Sequence, residues 1–203
     1  MKLYYSPGAC SLSPHIVARE AGIPFELAKV DLKTHKTDDG KDYYSINPRG
    51  YVPALQLDDG TLLREGPAIV QFLADKVPQT GLAPTAGTID RVKLQEWLTF
   101  TGTEIHKQFS WLFAPNSPEE AKKIVRDKLA TRFTELDKLF AGQKFLMGDR
   151  FTVADAYLFT VTNWANFVAI DLKVYPNLSG FMARVAARPK VQEALKAEGL
   201  IKG

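Results

Sequence analysis

Two short runs of alternating apolar residues, 54–57 and 61–63, flank Asp59-Gly60, and this feature restricts the fold of the 203-residue chain more than any other. An Asp-Gly pair between such runs reads as a β-hairpin. What lies on either side then sets the architecture. Lys2 to Ser6 is a β-prone run broken by Pro7-Gly8, and Ser13-Pro14 opens a helix in which Ile16, Val17 and Ala21 share a face. Gly22 and Pro24 stop that helix, and residues 25–31 alternate as a half-buried strand does. A polar stretch at 33–47 reads as loop with one helical turn. Pro67 suits the first position of an amphipathic helix that runs through Ile69, Phe72, Leu73 and Lys76. The order is βαβ followed by ββα.

Residues 77–88 hold two prolines, two glycines and three threonines, the chemistry of a linker. Beyond them every periodic segment is helical: 89–113, 117–141, 153–169, 175–187 and 190–197. Thr152-Val153-Ala154-Asp155 is a capping box, with Asp155 answering the Thr152 cap. The expected division is an α/β domain at 1–79, a linker at 80–88 and an all-α domain at 89–203.

Composition excludes several functions. The 45% hydrophobic and 24% charged fractions are those of a globular protein, and a net charge of +3 without a polybasic run argues against nucleic acid as a ligand. No segment approaches the length of a membrane span, and Pro7-Gly8 stand where a signal peptide needs apolar residues, so the expected location is the cytoplasm. A single cysteine and three scattered histidines argue against a metal site.

Three local features could carry chemistry. Cys10 sits between the first strand and the first helix, where bare N–H groups and the dipole favour an anion; the alternative is a buried structural thiol. Pro53 directly before a strand is a candidate cis peptide that leaves the Val52 main chain available to an extended ligand, or it is an ordinary trans proline. Glu65-Gly66-Pro67 joins a carboxylate to bare amides at a helix N-terminus, or Glu65 simply caps the helix. In the second part Gly102, His106, Phe109 and Phe113 fall on one helix face, with Ser110 beside them. A small residue, an imidazole and two rings suit a cleft wall, although a core histidine is the other reading.

In this order and spacing, the thiol loop, the Val-Pro pair, the acidic residue opening the third helix and the segment Gly148 to Ala156 resemble the glutathione S-transferases. Pro-Gly-Ala-Cys-Ser at 7–11 and Glu-Ile-His-Lys at 104–107 are most similar to the bacterial beta class. The resemblance covers essentially the whole chain. It implies a thioredoxin-like first domain with a mixed four-stranded sheet, an all-helical second domain, glutathione as co-substrate without a metal, and a homodimer.

The same resemblance implies roles. Val52, beside cis-Pro53, pairs with the cysteinyl part of glutathione, and Glu65 and Gly66 hold its γ-glutamyl end. Gly66 stands where many members have serine, which leaves only the amide. Cys10 faces the glutathione sulfur and can form a mixed disulfide with it. His106 and Lys107 line the pocket and can donate to the sulfur, Glu104 reaches the ligand of the neighbouring subunit, and His35 with Lys36 touches the glycyl carboxylate. Ser11 is a possible helper donor, whereas Tyr5 reads as a packed strand residue. Phe109, Phe113 and Trp164 are the acceptor-site candidates, with Tyr157 and Phe167 beside them.

The implied reaction is attack by glutathione thiolate on an electrophilic apolar compound, as in detoxification or xenobiotic catabolism. Two other readings stand beside it. One is glutathione-dependent thiol redox or dehalogenation through a Cys10 mixed disulfide, and the other is a non-catalytic binder of apolar ligands.

Overall fold

The structure, a computed structural model, describes residues 1–202. Main-chain contacts divide the described residues into two compact units, 1–83 with 187–202, and 84–186.

The first unit begins with β1 (Lys2–Tyr5), α1 (Leu12–Glu20), β2 (Glu26–Asp31), β3 (Lys36–Thr37), β4 (Ala54–Gln56), β5 (Leu62–Arg64) and α2 (Gly66–Lys76). The strands lie in the order β3-β2-β1-β4-β5. β1 runs parallel to β2, with Leu3 opposite Leu27, and antiparallel to β4, with Leu3 opposite Leu55. The hairpin forms where the sequence places it: Leu55 faces Leu63, Gly60 turns at φ +87, and Asp59 accepts the N–H of Thr61. The sheet has five strands rather than the expected four, because Lys36-Thr37 pairs with Val30-Asp31 at its edge. A two-residue strand is too short to show a period, so the polar stretch reads as loop.

β1 is covered on both faces. Leu3 and Leu55 are buried, as are Ile16 and Val17 of α1 and Ile69, Val70 and Leu73 of α2, and α1 packs on α2. Tyr4, Ala28, Val30, Tyr43, Val52 and Ala54 form a second apolar cluster.

The second unit holds α3 (Ile89–Phe100), a π-helical stretch (Thr101–His106), α4 (Lys107–Phe113), α5 (Glu119–Phe140), α6 (Val153–Thr162) and α7 (Pro176–Ala186). Along α5 the buried residues Val125, Leu129, Phe133, Leu136 and Phe140 recur at steps of four and three, the stripe of a helix with one inward face. Every residue of α6 is buried. A helix buried on all sides is central to its unit. The Asp155 carboxylate at its start accepts the N–H of Leu146 at 2.8 Å, the N–H of Thr152 at 2.8 Å and the Thr152 hydroxyl at 2.9 Å.

The last helix, α8 (Pro189–Ala197), departs from the expected division. The sequence places it in the helical domain, whereas it buries Val191, Ala194 and Leu195 and packs against α1. Arg188 clasps Glu20 of α1 through two hydrogen bonds of 2.7 and 2.8 Å. Amphipathic periodicity shows that a helix has a partner but does not name it. Among the described residues no helix is long and apolar enough to cross a membrane.

Candidate functional site

In the first unit the chain between β1 and α1 forms a tight loop around Cys10. The N–H of Ala9 donates to Ser6 C=O, and the Ser11 hydroxyl accepts the Ser6 N–H at 3.1 Å while donating to the same residue's carbonyl at 3.3 Å. Ser11 is fully buried, so its hydroxyl holds the loop together. Gly8 turns at φ +71, a conformation glycine adopts without strain. The N–H groups of Gly8, Ala9, Leu12 and Ser13 all have protein acceptors. The pull on a thiolate here therefore rests less on bare helix-mouth amides than the sequence suggests.

The loop is anchored by a residue that sequence reasoning missed. Gly8 N–H donates to Glu198 Oε2 at 2.9 Å, and Glu198 Oε1 lies 2.7 Å from Nδ1 of the fully buried His15. Arg19 Nε donates to the other ring nitrogen at 2.8 Å. A guanidinium only donates, so Nε2 accepts and Nδ1 carries the proton given to Glu198. No local signal points to Glu198, because its partners lie 190 and 183 residues away. Tyr5 packs near the same carboxylate and His15, and burial, with Glu198 beside it, pushes its pKa up. It stays a phenol, as a packed strand residue should.

The structure brings together three of the features singled out in sequence. The half-buried Cys10 thiol donates to the Val52 carbonyl at 3.2 Å. The Val52–Pro53 peptide is cis, and the Pro53 ring lies 3.8 Å from where a side chain at Gly66 would begin. Tyr43 and Asn47 hold the preceding Tyr51 carbonyl with hydrogen bonds of 2.9 and 2.7 Å. Glu65, at φ +67, makes no side-chain cap on α2; its exposed carboxylate accepts from Arg49 at 2.9 Å. That removes the helix-capping reading of Glu65. Arg49 is a second residue that sequence reasoning passed over.

His35 lies on the same unit at φ +52, its ring 4.4 Å from that of Tyr44 and its Nδ1 buried without a hydrogen bond. Gly50, at φ +68, closes this stack: a Cβ there would come within 2.7 Å of the Tyr44 ring and 3.0 Å of His35. Gly50→Ala is accordingly expected to destabilise the protein by about 1–3 kcal/mol through overpacking and a strained left-handed backbone. An unchanged thermal melt would show that the stack has room to yield. Lys36 sits in β3 with an exposed side chain.

The remaining candidates lie in the second unit. The continuous helix expected over 89–113 is interrupted at 101–106 by π-helical geometry, in which the Lys107 N–H reaches back to Gly102 C=O. Such stretches insert a residue and re-aim the side chains that follow. His106 Nδ1 lies 2.6 Å from the Tyr157 hydroxyl, and its ring meets Trp164 edge-on at 4.9 Å. Burial, with the Lys107 ammonium next to it, pushes its pKa down to about 4, so the imidazole is neutral at pH 7.

Phe113 stacks on Phe109 at 6.1 Å, and both meet Trp164 at 5.6 Å. Phe109 is fully buried and Trp164 nearly so, while Phe113 is 45% exposed. Of the three rings, only that of Phe113 has a large exposed surface, and the other two lie behind it. Phe167 is exposed, Lys107 is exposed, and Glu104 is held by Arg132 at 2.8 Å. Among the described residues no group of His, Cys, Asp and Glu is placed to hold a metal.

Two family models match the chain: glutathione S-transferase, N-terminal domain, over residues 8–76, and glutathione S-transferase, C-terminal domain, over residues 100–189. The glutathione S-transferase GstA of Escherichia coli O157:H7 is 50% identical, with 98% of this chain and all of that protein covered. A sphingomonad glutathione S-transferase solved with glutathione is 48% identical at a TM-score of 0.95, covering 99% of this chain and 100% of the other. The bacterial beta class glutathione S-transferase of Sphingomonas chungbukensis is 47% identical at the same TM-score and coverage.

Proposed function

From the premise that this chain belongs to the glutathione S-transferase family, and is an enzyme with glutathione as its co-substrate, we propose that it joins glutathione thiolate to electrophilic apolar compounds. It does so in the cytoplasm, as a homodimer, in the disposal or breakdown of foreign compounds.

The observation that carries the reading is the meeting of Cys10, Val52-Pro53 and Gly66 within the first unit, with Cys10 and Val52 42 residues apart in sequence. Glutathione is an extended peptide, and an extended peptide is recognised by main-chain pairing. The Val52 main chain supplies that pairing beside Pro53. Glu65 and the Gly66 amide take the ammonium and carboxylate of the γ-glutamyl end, and His35 takes the glycyl carboxylate. Cys10 faces the sulfur.

His106 and Lys107 act on the thiol. A free thiol has a pKa near 8.5, and each tenfold gain in acidity corresponds to about 1.4 kcal/mol of preference for the thiolate. His106 serves as a neutral donor and Lys107 as a positive charge. Phe113, backed by Phe109 and Trp164, takes the apolar acceptor, and Glu104 reaches the ligand of the neighbouring subunit.

The test is glutathione conjugation to an aryl halide by the parent protein, Cys10→Ala and His106→Ala, with intact mass recorded after incubation in oxidised glutathione. Cys10→Ala is expected to keep most of its turnover and to lose a one-glutathione mass gain, whereas His106→Ala lowers kcat about tenfold or more. The half-buried Cys10 thiol favours a second reading, thiol redox, in which its thiolate attacks oxidised glutathione and releases one glutathione thiolate. Absence of conjugation together with a Cys10-dependent mass gain would replace the first reading with the second.

A further inference from the structure

Tyr157 lies on the fully buried helix α6 and is itself 3% exposed. Its hydroxyl is 2.6 Å from His106 Nδ1, and the two rings meet edge to face with centroids 5.7 Å apart. Trp164 holds the His106 ring from another side at 4.9 Å. Gly102, one π-helical turn before His106, presents no side chain to the hydroxyl; a Cβ there would lie 3.6 Å from it.

The direction of the hydrogen bond decides what His106 can do. A neutral imidazole carries one protonated and one bare nitrogen. If Tyr157 donates, Nδ1 is the bare nitrogen and the proton sits on Nε2. If Nδ1 donates instead, Nε2 is bare and can only accept. A phenol is the better donor of the pair and an imidazole nitrogen the better acceptor. The separation is also shorter than an N–H···O contact prefers and suits an O–H donor.

We propose that Tyr157 is a positioning residue, whose hydroxyl holds His106 as the tautomer protonated on Nε2 and so keeps it a hydrogen-bond donor toward the glutathione sulfur. The inference rests on the preceding reading, in which His106 acts on the thiol. A thiolate only accepts hydrogen bonds, so the N–H edge of the ring stabilises it and a bare Nε2 would repel it. The ring takes up no proton in this role; the thiol proton leaves to water.

Nitrogen NMR of the imidazoles in the 15N-labelled protein reads the tautomer directly, with the His106 signals identified by their loss in His106→Ala. The parent is expected to show the Nε2-protonated pattern. Tyr157→Phe, which keeps the ring and removes only the hydroxyl, is expected to shift His106 toward the other tautomer or a mixture. Its kcat for aryl-halide conjugation should fall about tenfold with little change in KM for glutathione. In a His106→Ala background the same substitution should change kcat no further.

An Nδ1-protonated ring in the parent overturns the proposal even if Tyr157→Phe does not fold. So does a tautomer that the substitution leaves unchanged. If the tautomer changes while His106→Ala retains full kcat, the role of His106 at the thiol is what fails, and the donor function falls with it.

Discussion

Glu198→Ala is expected to lower the unfolding free energy by about 3–5 kcal/mol, the usual cost of removing one partner from a buried polar pair. Its side chain is fully enclosed, and the substitution strands both the N–H of Gly8 and Nδ1 of His15. Calorimetry would register the loss, and a glutathione titration should show weaker binding as well, because Gly8 lies two residues before Cys10 in the loop that the carboxylate anchors. The control is Glu193→Ala. Its exposed carboxylate meets Arg19 at 3.5 Å, and the melting temperature should scarcely move. A Glu198→Ala protein that melts with the parent and binds glutathione equally well would show that the loop holds its shape unaided.

Asp155→Ala should be nearly as damaging to stability and harmless to glutathione binding. It leaves the N–H groups of Leu146 and Thr152 without their acceptor in a buried setting, at about 1–3 kcal/mol for each, and removes the capping box as well. The loss depends on pH. Burial pushes the Asp155 pKa up from its ordinary 3.8 to about 6, against the pull of its three donors. A group that binds its proton more tightly when folded stabilises the protein fully below its unfolded pKa, and that contribution is lost as the pH rises through the folded value. A rise of this size corresponds to about 3 kcal/mol of stability lost across the window from the ordinary carboxyl range up to neutral pH. Asp155→Ala is therefore expected to cost more in mild acid, near the ordinary carboxyl pKa, than at neutral pH, read from denaturant unfolding under each condition. A cost that grows with pH would mean that the N–H donors outweigh burial, and an altered KM for glutathione at equal stability would give Asp155 a role beyond folding.

How far the sequence could be read depended on the distance over which each feature is written. The hairpin at Asp59-Gly60, the helical period of 117–141 and the Asp155 box are spelled out within a few residues, and they stand in the structure as read. Cys10, Val52-Pro53 and Glu65 each carry a local signature, so they could be singled out before their convergence was visible. β3 is two residues long and leaves no pattern. The π-helical turn at 101–106 keeps the apolar spacing of an α-helix closely enough to pass for one. Glu198 and Tyr157 matter through single atoms of residues far away in sequence, and no periodicity records such a pairing.

The clamp at Gly8 also bears on how the protein is made. A ribosome releases Gly8 some 190 residues before Glu198, a delay of roughly 10–40 s at ordinary rates of synthesis. During that interval the strands of the first unit can pair, but α1 has no α8 to cover it and the Cys10 loop has no anchor. The second unit, whose residues all come from one uninterrupted stretch, has no such wait. Order of birth and order of completion are thus reversed in this chain: the half that emerges first is the last to be finished.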